Sequence, residues 1–330
     1  MGTRMRNWTV FVTTFLIAWL ILIVNCGCAS TVRAHWPVTL VMTLGSVVAG
    51  STPMGGGSVA FPILVLAFKR SPASARDFAF LIQSVGMTSA LLFMIGRKVW
   101  LPGRLLAGSA FGSALGLITG TLWFAPYLPE SNVKLLFSCF WLSFALLTMA
   151  RHMEISSLQG GLPDVGTGWI GFAAGLIGGA IASIVGVGVE MAIYAVMVLV
   201  FRSDLRTAIA AAVSAGALSS LEGAALHGVL ADIRAETLYD WIAAAPVVIF
   251  GAPIGARLVT ILPRGKLLYA VSGLCVLQFL WTFRQTVHSG AEWRFVGIAM
   301  LAEVSVLLSL YQFGRRLTPQ YNRRQLQEGT

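Results

Sequence analysis

Two stretches of this chain, 38–68 and 169–201, are apolar and longer than the roughly 20 residues a helix needs to cross a bilayer once. Each is interrupted near its middle. The first break reads Ser51-Thr52-Pro53-Met54-Gly55-Gly56-Gly57 and the second Ile184-Val185-Gly186-Val187-Gly188-Val189-Glu190. Non-helical backbone at membrane depth persists only where protein or a watery cavity satisfies its polar groups. At an offset of 133 residues the stretches match: Gly45 falls on Gly178, Ala49 on Ala182, Gly55 on Gly188 and Phe68 on Phe201. A duplicated, glycine-broken membrane helix is the mark of a secondary transporter whose site lies between two repeats.

The rest of the chain fits that frame. Charged residues make up 11% of the sequence, against about 25% in a soluble domain. The apolar runs are unbroken rather than alternating, which excludes a membrane β-barrel. The expected fold is an all-α integral membrane protein, a polytopic bundle of about 8–10 spans. We place the spans at 8–27, 38–68 (broken), 77–96, 105–125, 132–150, 169–201 (broken), 205–226, 238–260, 267–287 and 294–313. The repeat continues past the breaks. Gln83-Ser84 corresponds to Val213-Ser214, and Phe111-Gly112-Ser113-Ala114-Leu115-Gly116 to Phe250-Gly251-Ala252-Pro253-Ile254-Gly255. The expected units are an extra helix in 1–37, a first repeat in 38–150, a loop in 151–168 with a turn at Gly160-Gly161-Leu162-Pro163, a second repeat in 169–287, and an extra helix with a basic tail in 288–330. The apolar run 8–24 is long for a cleaved leader and is read as a retained helix.

The net charge of +10 comes from Lys and Arg in loops and tails, a pattern of retention beside anionic headgroups rather than of nucleic-acid binding. With the N-terminus inside, 15 of 23 Lys and Arg lie on the cytosolic side whether both broken segments cross fully or both fold back. The positive-inside rule therefore puts both termini in the cytosol of a multi-pass cell-membrane protein. It does not separate crossing from re-entrant segments, or parallel from inverted repeats.

The breaks carry the chemistry. Pro53 cannot donate a hydrogen bond, and Gly55–Gly57 frees the backbone for unusual angles and close approach of a ligand. A half-helix starting there aims free N–H groups and a positive dipole end at the break, which suits an anion. The second break offers the same at Gly186 and Gly188; close packing by small residues is the competing account. The expected substrate contacts are Thr52, Pro53, Met54, Gly55, Gly56, Gly57, Gln83, Ser84, Gly186, Val187, Gly188 and Ser214. An intramembrane carboxylate must be paired, wet or protonated, so Glu190 is expected to carry a coupled proton, with Glu222 as a second candidate. His227 lies near a helix end and reads as an interfacial histidine. Gly108, Gly112, Gly116 and Gly120, like Gly251 and Gly255, form a close-packing face; Arg257 is expected to snorkel, and Glu303 receives no role.

The four cysteines (26, 28, 139, 275) give no disulfide framework and no metal spacing. No zinc-protease, P-loop or nucleophile-elbow motif is present, which excludes an ATP-driven pump in one chain and argues against an intramembrane enzyme. No metal or cofactor is expected. The expected partners are a small anion, protons and membrane lipids. A passive anion channel and a non-transporting membrane scaffold are the alternatives.

At these residues the chain resembles the sulfite exporter TauE/SafE family of membrane permeases. The shared pattern runs Gly45-Ser46-x-x-Ala49-Gly50-Ser51-Thr52-Pro53-Met54-Gly55-Gly56-Gly57, then Phe61-Pro62, Arg76-Asp77-Phe78 and Ile82-Gln83-Ser84-Val85-Gly86-Met87-Thr88. In the second copy Gly186-Val187-Gly188-Val189-Glu190-Met191 and Tyr194 look like that family's second glycine segment, departing from it at Val189, Glu190 and Ala195. The resemblance covers about 38–287. It implies proton-coupled transport of small sulfur-containing or carboxylate anions, such as sulfite, a sulfonate or sulfoacetate.

Overall fold

Glycine and proline at the breaks act locally, and α3 and α9 stop at the expected breaks, while α5 starts at Pro72 rather than 77 and α14 runs on to Glu328 past the expected end at 313. The computed structural model describes residues 3–127, 129–156, 158, 166–230 and 233–328. The chain order is α1 (Thr3–Cys26), α2 (Ala29–Ala34), α3 (Trp36–Ser51), α4 (Gly55–Pro62), α5 (Pro72–Gly96), α6 (Gly103–Thr119), α7 (Glu130–Ala150), α8 (His152–Ser156), α9 (Thr167–Val185), α10 (Val189–Ala195), α11 (Leu205–Leu230), α12 (Ala235–Ile261), α13 (Arg264–Thr286) and α14 (Gly290–Glu328). Among the described residues eight helices are long and apolar enough to cross a membrane. They are α1, α5, α6 with its following turn, α7, α9, α11, α12 and α14 as far as Arg316. The all-α membrane bundle is as expected. The turn expected at Gly160–Pro163 lies outside the described residues.

Contacts fix which way each helix runs. Trp241 bonds Leu81, Gly86 faces Val248 and Ser89 bonds Ile249, so α5 and α12 are parallel. Thr39 bonds Ala243 and Gly50 abuts Ala252, so α3 runs the same way. Met87 meets Gly216, Phe80 meets Gly223 and Asp77 meets His227, so α11 is antiparallel to α5. Ser113 bonds Glu222 and Thr121 approaches His227, so α6 follows α11. Gly108, Gly112 and Gly116 meet Gly168, Phe172 and Leu176, so α9 follows α6.

These directions decide the fate of the broken segments. From Gly57, beside Ala79 and Gln83, the chain runs back to the start of α5 at Pro72, so α4 is antiparallel to α5 and to α3. From Glu190, beside Gly216, it runs back to the start of α11 at Leu205, so α10 is antiparallel to α11 and to α9. Both segments are hairpins that enter and return. They enter from opposite faces of the bundle, because α3 and α9 run in opposite directions. The ends of the hairpins also agree in detail. Each returning arm continues into one π-helical turn, Ile63–Ala67 and Val196–Val200. Each then passes through a left-handed residue, Lys69 (φ 57°) or Arg202 (φ 52°). Each closes with one long-range turn bond, Arg70 N to Leu64 O or Ser203 N to Met197 O, both 2.9 Å.

The glycine ladders do what small residues do in membranes. A Cβ on Gly112 or Gly116 would collide with the carbonyl of Phe172 or Leu176 on α9. One on Gly50 or Gly255 would collide with the carbonyl of Ala252 or Val47 across the α3–α12 seam. Cys26 and Cys28 are joined by a disulfide at the end of α1. The two cysteines are near neighbours on a turn, which brings their side chains together without any larger framework.

Candidate functional site

The hairpin tips meet against α5. Gly186, the first residue past α9, has φ +80°, a left-handed conformation that disfavours any side chain. A Cβ there would stand 2.7 Å from the carbonyl oxygen of Arg76 and from Ala79 Cβ. Gly55, which opens α4, has φ +69°. A Cβ there would stand 2.5 Å from both Gln83 Oε1 and Glu190 Oε1. Gly57 would meet Val187 Cγ1 at 2.5 Å, so the two tips also touch each other.

Gln83 is the post to which the second tip is tied. It is the twelfth residue of the 25-residue α5 and is 3% exposed. Its Nε2 donates to Ala79 O at 3.1 Å and to Gly186 O at 3.0 Å. Both partners are acceptors, so the amide orientation is dictated. The consequence is that Gln83 Oε1 points away from them, toward Gly55 and Glu190, and accepts no bond. Glu190, in the first turn of α10, is 2% exposed. Its Oε2 accepts from Gly188 N at 3.3 Å, while Oε1 is unpartnered. Two buried, unsatisfied acceptors thus converge on one point beside the positive end of α4.

The other expected contacts are placed as follows. Thr52 Oγ1 donates to Val48 O (2.8 Å) and accepts from Met54 N (3.3 Å), shaping the turn at Pro53. Met54 is buried, its sulfur 3.9 Å from Cys275 Sγ. Gly56 faces Ala49 and Gln83. The hydroxyls of Ser84 and Ser214 bond back to their own helices, at Leu81 O and Ala210 O. Glu222 lies six residues beyond Gly216 on α11, turned to α6, where it accepts from Ser113. The structure therefore brings Gly55, Gly57, Gln83, Gly186, Val187, Gly188 and Glu190 together, and puts Ser84, Ser214 and Glu222 to one side.

One charged cluster escaped the sequence reading. His227 is not interfacial: it is 1% exposed, with Nδ1 2.9 Å from Asp77 Oδ1 and Nε2 3.3 Å from Thr121 Oγ1. Arg76 Nε donates to the same Asp77 oxygen at 2.9 Å, and its Nη1 reaches Ser183 O at 3.3 Å. This network ties α5, α6, α9 and α11 together about two helical turns from Gln83. The pair Arg76-Asp77 inside a span was the available signal, since intramembrane charges need partners. A cavity of about 570 Å³ reaches the second break at Val185 and Gly188. It is a groove between α7, α9, α10 and α14, and its walls are apolar apart from residues such as Glu303.

The sequence profile of the family described as Sulfite exporter TauE/SafE matches residues 38–281. The chain belongs to this family. The matched span starts within α3 and ends within α13, so it takes in both hairpins and the helices that hold them, while α1 and α14 stand outside. No curated individual protein and no solved structure matches the chain. As a TauE/SafE member with several membrane-spanning helices, the protein is of a transporter family rather than an enzyme family.

Proposed function

We propose that this TauE/SafE protein is a secondary transporter that moves a small sulfur-containing or organic anion, such as sulfite, a sulfonate or sulfoacetate, together with protons. The observation that carries the reading is the meeting of two hairpin tips near the midpoint of α5 and α11, beside two buried oxygens without partners. A scaffold has no use for unsatisfied polar atoms at membrane depth, whereas a binding site does. The first break supplies the anion's contacts: the start of α4, Gly55–Gly57, presents the positive end of a helix dipole with no carboxylate of its own. The second break supplies the proton carrier, Glu190.

The units 38–150 and 169–287 act as two inverted repeats. Opposed directions of α3 and α9, of α5 and α11, and of α6 and α12 support this, as do the shared hairpin endings. Access then alternates as one hairpin and then the other opens its face of the junction. For re-entrant hairpins, 15 of 23 Lys and Arg fall on the face that carries both termini, which supports a cytosolic location for that face. The Cys26–Cys28 bond then lies on the opposite, oxidising side. The test is uptake of labelled sulfite and sulfoacetate into proteoliposomes with and without a pH gradient. Accumulation driven by the gradient is expected. Flux indifferent to it makes the protein a channel, and no flux of either anion refutes transport.

A further inference from the structure

We propose that Glu190 and Gln83 share a single proton, and that this proton is the condition for an anion to bind at Gly55, so that proton and anion move together, one with one. The inference rests on the transporter reading above. It starts from the locked amide of Gln83. Because Ala79 O and Gly186 O both demand a donor, Gln83 cannot turn its –NH₂ toward Glu190. Its Oε1 and Glu190 Oε1 both lie 2.5 Å from the position where a Cβ of Gly55 would sit. Both side chains are buried and both oxygens are bare. Two acceptors placed this way repel unless a donor stands between them, and a protonated Glu190 supplies it: its Oε1–H donates to Gln83 Oε1. The proton is drawn from solvent and returns to it.

The same geometry joins the proton to the anion. Glu190 Oε1 and the N-terminus of α4 share one spot. An ionised Glu190 puts its charge where a bound anion's charge must go. Like charges about 4–5 Å apart in a protein interior weaken binding about a hundredfold or more. Protonation removes that charge and ties the second tip to Gln83, leaving the α4 end for the anion. The titratable groups on the surrounding elements are engaged elsewhere. On α5, Arg76 and Asp77 pair with each other and with His227 of α11. On α11, Glu222 takes its bond from Ser113, and Arg206 lies near the far end with Leu262 O. On α6 the charged residue is Arg104, at its start, and α9 has none. Tyr194 and Cys275 complete the set, buried on α10 and α13. A metal ion at the same spot would need a larger shell of oxygens than these two.

The experiment counts protons directly on the unaltered protein. Vesicles loaded with a pH-sensitive dye take up labelled sulfoacetate, whose own charge is constant between about pH 6 and 8. One proton entering per anion is expected; a count of zero or two overturns the shared-proton site. Glu190→Gln, whose amide mimics the protonated acid, is expected to lose gradient-driven accumulation and to show anion exchange that no longer varies with pH. Gradient-driven accumulation that persists in this variant refutes the inference, as does a requirement for sodium when choline replaces it. Absence of any sulfoacetate or sulfite flux in the unaltered protein would instead remove the transporter reading itself.

Discussion

Gly186→Ala tests whether the second hairpin tip is held by backbone docking on α5. Left-handed backbone costs a residue with a Cβ about 1–2 kcal/mol. The added carbon would also lie 2.7 Å from the Arg76 carbonyl, a backbone atom that cannot swing aside, and 2.7 Å from Ala79 Cβ. Overpacking of this kind typically costs about 1–3 kcal/mol. Relief requires the tip to lift, which stretches the 3.0 Å bond from Gln83 Nε2 to Gly186 O. The combined penalty of about 2–5 kcal/mol corresponds to a fall in melting temperature of roughly 5–10 °C. The protein carries its own reporters: Cys139 and Cys275 are free and buried, and a thiol-reactive dye lights up as they become exposed. Cys275 lies beside Met54 at the first break, so it senses the junction directly. Gly297→Ala is the control, since nothing lies within 4 Å of its missing Cβ. We expect Gly186→Ala to melt early and to lose at least tenfold in anion flux. Melting and flux equal to the control would show that docking of Gly186 on α5 does not hold the tip.

Other outcomes follow from the same contacts. Gly112→Val must drive α6 from α9 at the Phe172 carbonyl and is expected to cost about 3 kcal/mol or more in the same melting assay. Asp77→Ala leaves half-buried Arg76 and buried His227 without their shared carboxylate and should cost about 3 kcal/mol. If both hairpins re-enter, a membrane-impermeant maleimide labels Ala73→Cys on intact cells and Gly103→Cys only after permeabilisation; the reversed pattern, Gly103→Cys labelled on intact cells and Ala73→Cys only after permeabilisation, contradicts re-entry. At Glu154 burial raises the carboxyl, but bonds from Tyr311 and Arg202 outweigh it and hold the group below the usual carboxylate range. A carboxyl lowered in the folded state stabilises above its unfolded value and loses that contribution as pH falls through the folded one. Glu154→Gln should therefore melt below the unaltered protein at pH 7 and converge with it once the pH has fallen through the lowered folded-state value.

What could be read from the residues was what local chemistry decides. Pro53, Gly55 and Gly186 stop helices through their own backbones, whereas α5 starts at Pro72, capped by Ser71 at Ser74 N, five residues before the expected 77. The glycine ladder announced its packing because the spacing of four is itself the contact. The turning back of both hairpins was hidden, since moving the loops after them from one face to the other leaves the count of basic residues unchanged. His227 was misplaced because its partner Asp77 is 150 positions away, and nearness to a helix end is a poor guide when that end is tucked inside the bundle. Glu190 stood out as a membrane carboxylate. That Gln83 would face it could not be foreseen, because the amide is turned by Gly186 O, an acceptor that exists only once the second tip has docked.

The glycine seams have a mechanical consequence. Each entering arm is clamped to a helix from the opposite half of the chain, α3 to α12 and α9 to α6, with backbone against backbone. Clamped rods do not slide, so neither α3 nor α9 is free to swing as a gate. Mobility is left to the returning arms, α4 and α10, which are short and end in a loosened π turn. The same crossing means that neither half of the polypeptide owns a complete hairpin support. Cutting the chain between α7 and α9 would yield two fragments that each lack the rail for their own broken helix, and each would stand only when threaded through the other.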